Sequence, residues 1–108
     1  MVVELEPSEV ARKLKSTPDK VLLVDVREPF ERELAVIEPS VHMPMGEIVN
    51  RAEELPRDRQ LIVYCHAGSR SMMVAGYLES LGFTDVANLA GGIDAWSVDV
   101  DPSVPRYN

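Results

Sequence analysis

The chain has 108 residues, 45% of them hydrophobic and 27% charged, which is typical of one globular domain and argues against wholesale disorder. Lys and Arg number 11 against 18 Asp and Glu, a net charge of −7 with no basic run, so neither a nucleic acid nor a membrane surface is an expected partner. A single cysteine, no signal peptide and no apolar stretch of about 18–20 residues predict a cytoplasmic protein without an intramolecular disulfide.

Strands and helices alternate along the first half of the chain. Residues 2–5 form a short predicted strand, and Pro7 suits the first turn of the helix that follows, which ends before Ser16. Residues 21–26 are apolar except for Asp25, as expected for a strand that is buried on both faces of a parallel sheet. A short helix over residues 28–34, a weaker strand around Val41 and a short helix over residues 47–50 complete this half.

The second half continues the alternation. Residues 61–64 form a second fully apolar strand, and residues 69–81 form the best helix of the chain, which Gly82 terminates. A further strand covers residues 86–89, and a turn at Gly91 leads into a last helix that reaches Trp96. The sequence predicts a single α/β domain with a mostly parallel central sheet flanked by helices, with a core over about residues 2–97 and an extended tail over residues 98–108.

The segment that carries the most chemical information follows the second apolar strand. Cys65 stands where that strand ends, and the glycine Gly68 lets the chain curl into the helix that begins a few residues later. A loop of this kind points backbone N–H groups into one concavity, and the helix dipole adds to its attraction for anions. A thiol at that place favours its thiolate form. Arg70 adds a positive charge and a fork for an oxyanion, and Ser71 adds a hydroxyl.

A cysteine at the end of a strand is also compatible with a small buried hydrophobic side chain. The loop residues that follow favour reactivity, because they combine glycine, serine and arginine between a buried strand and a helix. Residue chemistry alone leaves both interpretations open.

Three segments together resemble the rhodanese-domain sulfurtransferases. Residues 65–71, Cys-His-Ala-Gly-Ser-Arg-Ser, are similar to the active-site loop C-x-x-G-x-R-S of that family. Residues 22–29 resemble its L-x-D-V-R-E segment, and residues 89–96 resemble its closing L-x-G-G-x-x-x-W motif. The three occur in the family's order over nearly the whole chain.

The resemblance implies a rhodanese-like fold and a thiosulfate sulfurtransferase type of activity. Cys65 would take sulfane sulfur from thiosulfate or a persulfide donor, hold it as a persulfide and pass it to a thiol, to cyanide or to a sulfur-carrier protein. The loop residues would bind the donor and the persulfide, and neither a metal nor an organic cofactor is implied. These loop residues are His66, Ala67, Gly68, Ser69, Arg70 and Ser71.

Two other functions are weighed against this one. Phosphatases and arsenate reductases of related fold use a longer loop, C-x5-R, whereas Cys65 and Arg70 form C-x4-R. A protein that carries sulfur or senses oxidants without turnover is the other alternative.

Further residues are expected to support the site. Asp25, in an apolar strand, is expected to pair with an arginine, with Arg27 as its neighbour, because an isolated buried carboxylate is costly. His66 would steer an anionic donor or stay solvated. An acidic cluster is expected to form a solvated face or to bind a basic partner; it comprises Glu28, Glu31, Glu33 and Glu38. Residues 35–40 depart from the Gly-His-Ile-Pro-Gly-Ala stretch of many family members.

Overall fold

The computed structural model describes residues 2–108, which are built around a five-stranded sheet in which every neighbouring pair of strands is parallel. The strand order is β1-β5-β4-β2-β3, so β4 is the central strand. The α/β fold with a parallel sheet is therefore confirmed. The strands are β1 Val3–Leu5, β2 Val21–Asp25, β3 Val41–His42, β4 Gln60–Tyr64 and β5 Val86–Leu89.

Within residues 2–108, four α-helices and three short 3-10 turns connect the strands, and a fifth α-helix follows β5. Both α1 and α2 begin at a proline, and the glutamates Glu6 and Glu28 precede them as capping residues. After α4, Gly82 adopts a positive φ of 95°, as predicted for a residue that terminates a helix. Among residues 2–108 no helix is long and apolar enough to cross a membrane. The helices are α1 Pro7–Ser16, α2 Pro29–Leu34, α3 Ile48–Arg51, α4 Ser69–Ser80 and α5 Gly92–Asp99, and the 3-10 turns are Pro18–Lys20, Met45–Glu47 and Ala52–Glu54.

The central strand β4 separates two hydrophobic cores. Leu61 and Val63 pack with the buried faces of α3 and α4, whereas Ile62 and Tyr64 pack on the opposite side with α1 and α5. Because both faces of the strand are covered, its sequence is apolar at every position after Gln60 instead of alternating.

The C-terminal segment differs from the extended tail predicted for residues 98–108. Helix α5 continues to Asp99, and the N–H groups of Val100 and Asp101 both bond to the carbonyl of Trp96, at 2.9 and 3.0 Å. A turn follows, closed by the N–H of Val104 on Asp101 at 3.0 Å. Val104 is buried in the core beside α5, so the tail folds back over the domain because it carries apolar side chains to bury.

The parallel arrangement determines where the polar residues meet. Asp25 ends β2, Cys65 follows β4, and the last residues of β5 lie on the other side of β4. The carboxyl ends of these adjacent strands share one edge of the sheet, which is where open α/β sheets bind ligands.

Candidate active site

Cys65 lies at the start of a tight loop whose amides face its sulfur. The residue is 1% exposed, and its Sγ accepts hydrogen bonds from the backbone N–H of Gly68 at 3.1 Å and from the Ser71 hydroxyl at 3.4 Å. Gly68 has a φ of 114°, and this left-handed conformation lets the loop curl before α4 begins at Ser69. The first N–H groups of a helix have no partner within it, so the loop and α4 together form a cradle for negative charge.

These contacts favour the thiolate. Burial of the thiol acts to raise the pKa of Cys65, but the hydrogen bonds from Ser71, Gly68 and Ala67 outweigh it and hold the pKa below its usual value. A cysteine that merely filled the core would have its pKa raised by burial without such compensation. The environment of Cys65 therefore differs from that of a cysteine that only fills the core.

Helix α5 supports the loop from behind. The N–H of Ile93 bonds to the carbonyl of Cys65 at 2.9 Å, and the N–H of Asp94 bonds to that of His66 at 3.1 Å. A Cβ at Gly92 would lie 2.4 Å from the carbonyl oxygen of His66 and 2.6 Å from that of Cys65. Gly92 therefore allows the N-terminus of α5 to approach the loop backbone closely, and Gly91, in a left-handed conformation, turns the chain into the helix.

Arg70 already has a carboxylate partner. Its two terminal nitrogens donate to the two oxygens of Glu31 at 2.7 and 2.9 Å, in a bidentate pair. Glu31 lies on α2 and is buried, so the expectation that it belongs to a solvated acidic face is wrong. The other three residues of that cluster, Glu28, Glu33 and Glu38, are exposed as expected.

The Glu31 carboxylate is fully hydrogen-bonded. One oxygen also accepts from the N–H of Glu28 at 3.0 Å, and the other accepts from the hydroxyl of Tyr107 at 2.7 Å. The bonds from Arg70, first of all, lower the pKa of Glu31 to about 2 against the opposing effect of burial. Glu31 therefore stays ionised and holds Arg70 in place.

Asp25 and Arg27 form the buried pair that the sequence predicted. Both side chains are 0% exposed, and Arg27 donates to the two Asp25 oxygens from Nε at 2.9 Å and from a terminal nitrogen at 2.8 Å. Its remaining donors bond to the carbonyls of Glu31 and Ala35 and to the hydroxyl of Tyr107, so all five N–H groups are used. Burial acts to raise the pKa of Asp25, but the bonds from Arg27 and Arg32 hold it below its usual value.

The segment that departs from the family pattern completes this network. The Ala35 carbonyl accepts from Arg27 at 2.7 Å, and the N–H of Ile37 bonds to the hydroxyl of Tyr64 at 3.3 Å. Ser40 accepts from Arg32 through both its hydroxyl and its carbonyl, at 3.1 Å each. Residues 35–40 thus have a defined structural role without the glycine and histidine of the pattern.

The C-terminal segment brings a further side chain to the site. The ring of Tyr107 lies 4.4 Å from the ring of His66, and its hydroxyl sits between Arg27 and Glu31. His66 is thus neither fully solvated nor fully buried, and its buried Nδ1 has no hydrogen-bond partner among residues 2–108.

The sequence reasoning missed three residues at the site. Glu31 and Tyr107 give no local signal, since their partners lie far along the chain. Asn88 could have been found, because a lone amide in the apolar strand β5 must be hydrogen-bonded, as was argued for Asp25. Asn88 is 1% exposed and contacts Ser71 and Gly68 of the loop.

Comparison with known proteins shows the family to which the chain belongs. The sequence profile of the rhodanese-like domain matches residues 6–99. The chain belongs to the rhodanese-like family. A sulfurtransferase of Allochromatium vinosum is 40% identical over 97 residues, which cover 90% of both proteins. The thiosulfate sulfurtransferase GlpE of Pseudomonas syringae is 37% identical over 90 residues, which cover 83% of both.

The rhodanese-like fold also has solved counterparts. The crystal structure of a rhodanese-related protein from Thermoplasma volcanium superimposes with a TM-score of 0.84 at 28% identity, covering 97% of this chain and 99% of the other. Relatives of about the same length are thus single-domain sulfurtransferases, and the chain is a rhodanese-like sulfurtransferase homologue.

Proposed function

We propose that this rhodanese-like protein transfers sulfane sulfur from thiosulfate, or from a persulfide donor, to a nucleophilic acceptor through a persulfide on Cys65. The observation that carries the proposal is the position of the Cys65 sulfur within 3.1 Å of the Gly68 N–H, at the N-terminus of α4. The same contacts that lower the thiol pKa supply a cradle for the charge that the reaction creates.

The first half-reaction forms one S–S bond and breaks another. The Cys65 thiolate attacks the outer sulfur of thiosulfate, the bond between that sulfur and the sulfonate sulfur breaks, and sulfite leaves with the electron pair. The terminal sulfur of the new persulfide carries the negative charge. The N–H groups of the loop, from Ala67 to Ser71, stabilise this charge without a general base or a cofactor.

The second half-reaction returns the free enzyme. A thiol, cyanide or a sulfur-carrier protein attacks the terminal sulfur, and Cys65 leaves as the thiolate. The approach is over Ala67 and Ser69, the exposed residues of the loop. We also propose a cytoplasmic location, because a reducing compartment keeps the single cysteine in its thiol form.

The arginine of the loop argues against phosphatase or arsenate reductase chemistry. A phosphate ester needs an arginine fork that is free to clasp a tetrahedral oxyanion. Both arms of Arg70 are held by Glu31, and the C-x4-R loop is one residue shorter than the loops used for that chemistry. Sulfur transfer needs only the loop amides.

The test is intact-protein mass spectrometry before and after incubation with thiosulfate. We expect a gain of one sulfur that cyanide removes as thiocyanate, and no gain in Cys65→Ser. Ser80→Ala, at the exposed end of α4, is the matched control and should load like the wild type. Absence of loading from both thiosulfate and an organic persulfide would contradict the proposal.

Turnover distinguishes an enzyme from a sulfur carrier. With excess thiosulfate and cyanide, the enzyme releases many equivalents of thiocyanate per Cys65. A carrier that only another protein can load releases at most the one equivalent it already holds and then stops, because thiosulfate does not reload it.

A further inference from the structure

The hydroxyl of Ser71 faces three acceptors with a single proton. Its Oγ lies 2.5 Å from Oδ1 of Asn88, 3.2 Å from the carbonyl of Gly68 and 3.4 Å from Sγ of Cys65. A hydroxyl donates one hydrogen bond at a time. The proton that stabilises a Cys65 thiolate is thus one that Asn88 also binds, at the shorter distance.

The orientation of the Asn88 amide is determined by its other neighbours. Its Nδ2 donates to the carboxylate of Glu4 at 3.0 Å and to the carbonyl of Gly68 at 3.1 Å. Both partners are acceptors only, so a flipped amide would place its oxygen against two other oxygens. Asn88 therefore presents its oxygen to Ser71 as an acceptor that competes with Cys65 for the proton.

We propose that Asn88 is a positioning residue that competes with Cys65 for the Ser71 proton, and that Glu4 holds it in the competing orientation. When Cys65 is a thiolate, Ser71 turns toward the sulfur and Asn88 Oδ1 loses its donor. When Sγ is the inner sulfur of a persulfide, the charge lies on the outer sulfur and Ser71 returns to Asn88. The competition thus makes the Cys65 thiolate less stable relative to the Cys65 persulfide.

The inference rests on the proposed function only in taking Cys65 as the nucleophile. The other charged or titratable groups around the loop are Arg70 with Glu31, His66, Tyr107, and Asp94 of α5 with Arg106. None of them contacts Asn88 among the hydrogen bonds described, so changes at Asn88 or Glu4 leave them in place.

The test measures the thiol pKa from the pH dependence of iodoacetamide alkylation. Because Cys65 is the single cysteine, the rate reports on this thiol alone, whether or not the protein transfers sulfur. In Asn88→Leu, Ser71 loses a competing acceptor, and we expect the midpoint to fall by roughly one pH unit, the order expected for a hydrogen bond to a charged group. A purely structural role of Asn88 would loosen the loop amides and raise the midpoint instead.

A variant at Glu4 keeps the buried amide of Asn88 and provides an independent test. Glu4→Gln, on the exposed edge strand, replaces one of the two acceptors that fix the amide by a side chain that can donate to a flipped Asn88 Oδ1. The Gly68 carbonyl still opposes the flipped amide, so the midpoint should fall, but by less than in Asn88→Leu. Glu33→Gln, which removes an exposed charge from α2, should leave it unchanged. Should Asn88→Leu not fold, Glu4→Gln decides.

Combining these variants with Ser71→Ala completes a double-mutant cycle. Ser71→Ala alone should raise the midpoint, and adding Glu4→Gln or Asn88→Leu to it should cause no further shift. The inference is overturned if the midpoint does not fall in the single variants, or if the fall persists without the Ser71 hydroxyl. If the alkylation midpoints shift as expected but the protein fails to load sulfur, the proposed function is overturned and this inference is not.

Discussion

Replacing Glu31 with glutamine tests the bidentate pair with Arg70. Glu31→Gln preserves the shape of the side chain but removes its charge and one of its two acceptor oxygens. In the variant, the amide oxygen can still accept from one Arg70 nitrogen and from the Glu28 N–H. The NH₂ group then takes the place of the other carboxylate oxygen, opposite the second Arg70 nitrogen and the Tyr107 hydroxyl. Two of the four hydrogen bonds that Glu31 accepts are therefore lost.

The expected loss of stability is about 2–3 kcal/mol. A hydrogen bond to a charged group contributes about 1.5–3 kcal/mol, and two such bonds would set an upper value about twice as large. The Arg70 side chain is 34% exposed, so water replaces part of the hydrogen bonding that the carboxylate supplied. The expected loss of stability is therefore smaller than that upper value. The melting temperature of a domain of this size should fall by roughly 10 °C or more.

The loss should also depend on pH. The pKa of Glu31 falls from 4.5 to about 2 on folding, so between these values the unfolded chain binds more protons than the folded protein. The stabilisation is complete above the unfolded pKa of 4.5 and disappears as the pH falls through about 2. Wild type and Glu31→Gln should therefore become more alike in stability as the pH is lowered from 6 to 2.

Urea unfolding at a series of pH values measures both quantities. Glu33→Gln, on the exposed side of α2, is the matched control and should behave as the wild type. A loss below about 0.5 kcal/mol at pH 7 in Glu31→Gln, or a difference from wild type that stays constant down to pH 2, would show that the Glu31 charge does not stabilise the fold.

The remaining predictions concern the buried network and the glycines behind the loop. Asp25→Asn should destabilise the protein by about 3–5 kcal/mol in urea unfolding, because it leaves the charge of Arg27 buried without compensation; a loss below 1 kcal/mol would contradict the pairing. Gly92→Ala should abolish sulfur loading and lower the melting temperature. Gly76→Ala, whose new Cβ would meet nothing within 4 Å beyond its own stretch of helix α4, should leave both unchanged or raise stability by up to about 1 kcal/mol. Tyr107→Phe should cost about 1–2 kcal/mol by calorimetry, since it removes one hydroxyl that both donates and accepts; an unchanged melting temperature would show that this hydroxyl contributes nothing.

Local patterns were sufficient to predict the sheet and the cysteine loop. A strand that is apolar on both faces, a glycine and a helix follow one another within a few residues, so their physical causes are all local. The Asp25–Arg27 pair was predictable for the same reason, because its partners are two residues apart and the cost of an unpaired buried carboxylate is general.

Contacts between distant segments could not be predicted. Glu31 meets Arg70 across 39 residues of sequence and Tyr107 across 76, and a glutamate on a short helix next to other acidic residues is usually solvated. The prolines of the tail predict an extended segment, yet Val104 and Tyr107 pack onto the domain. Only the fold brings these side chains together.

The pairing of Arg70 with Glu31 also affects how an anionic donor encounters the protein. The chain has a net charge of −7, and the one arginine of the loop has its field cancelled by its neighbour. In the proposed reaction, a dianionic donor therefore approaches a protein of net negative charge until it comes within reach of the short-ranged amide dipoles, inside about one Debye length of 10 Å at 0.1 M salt. Added salt should accelerate this bimolecular step, in contrast to enzymes whose exposed cations steer anionic substrates and lose speed as ionic strength rises.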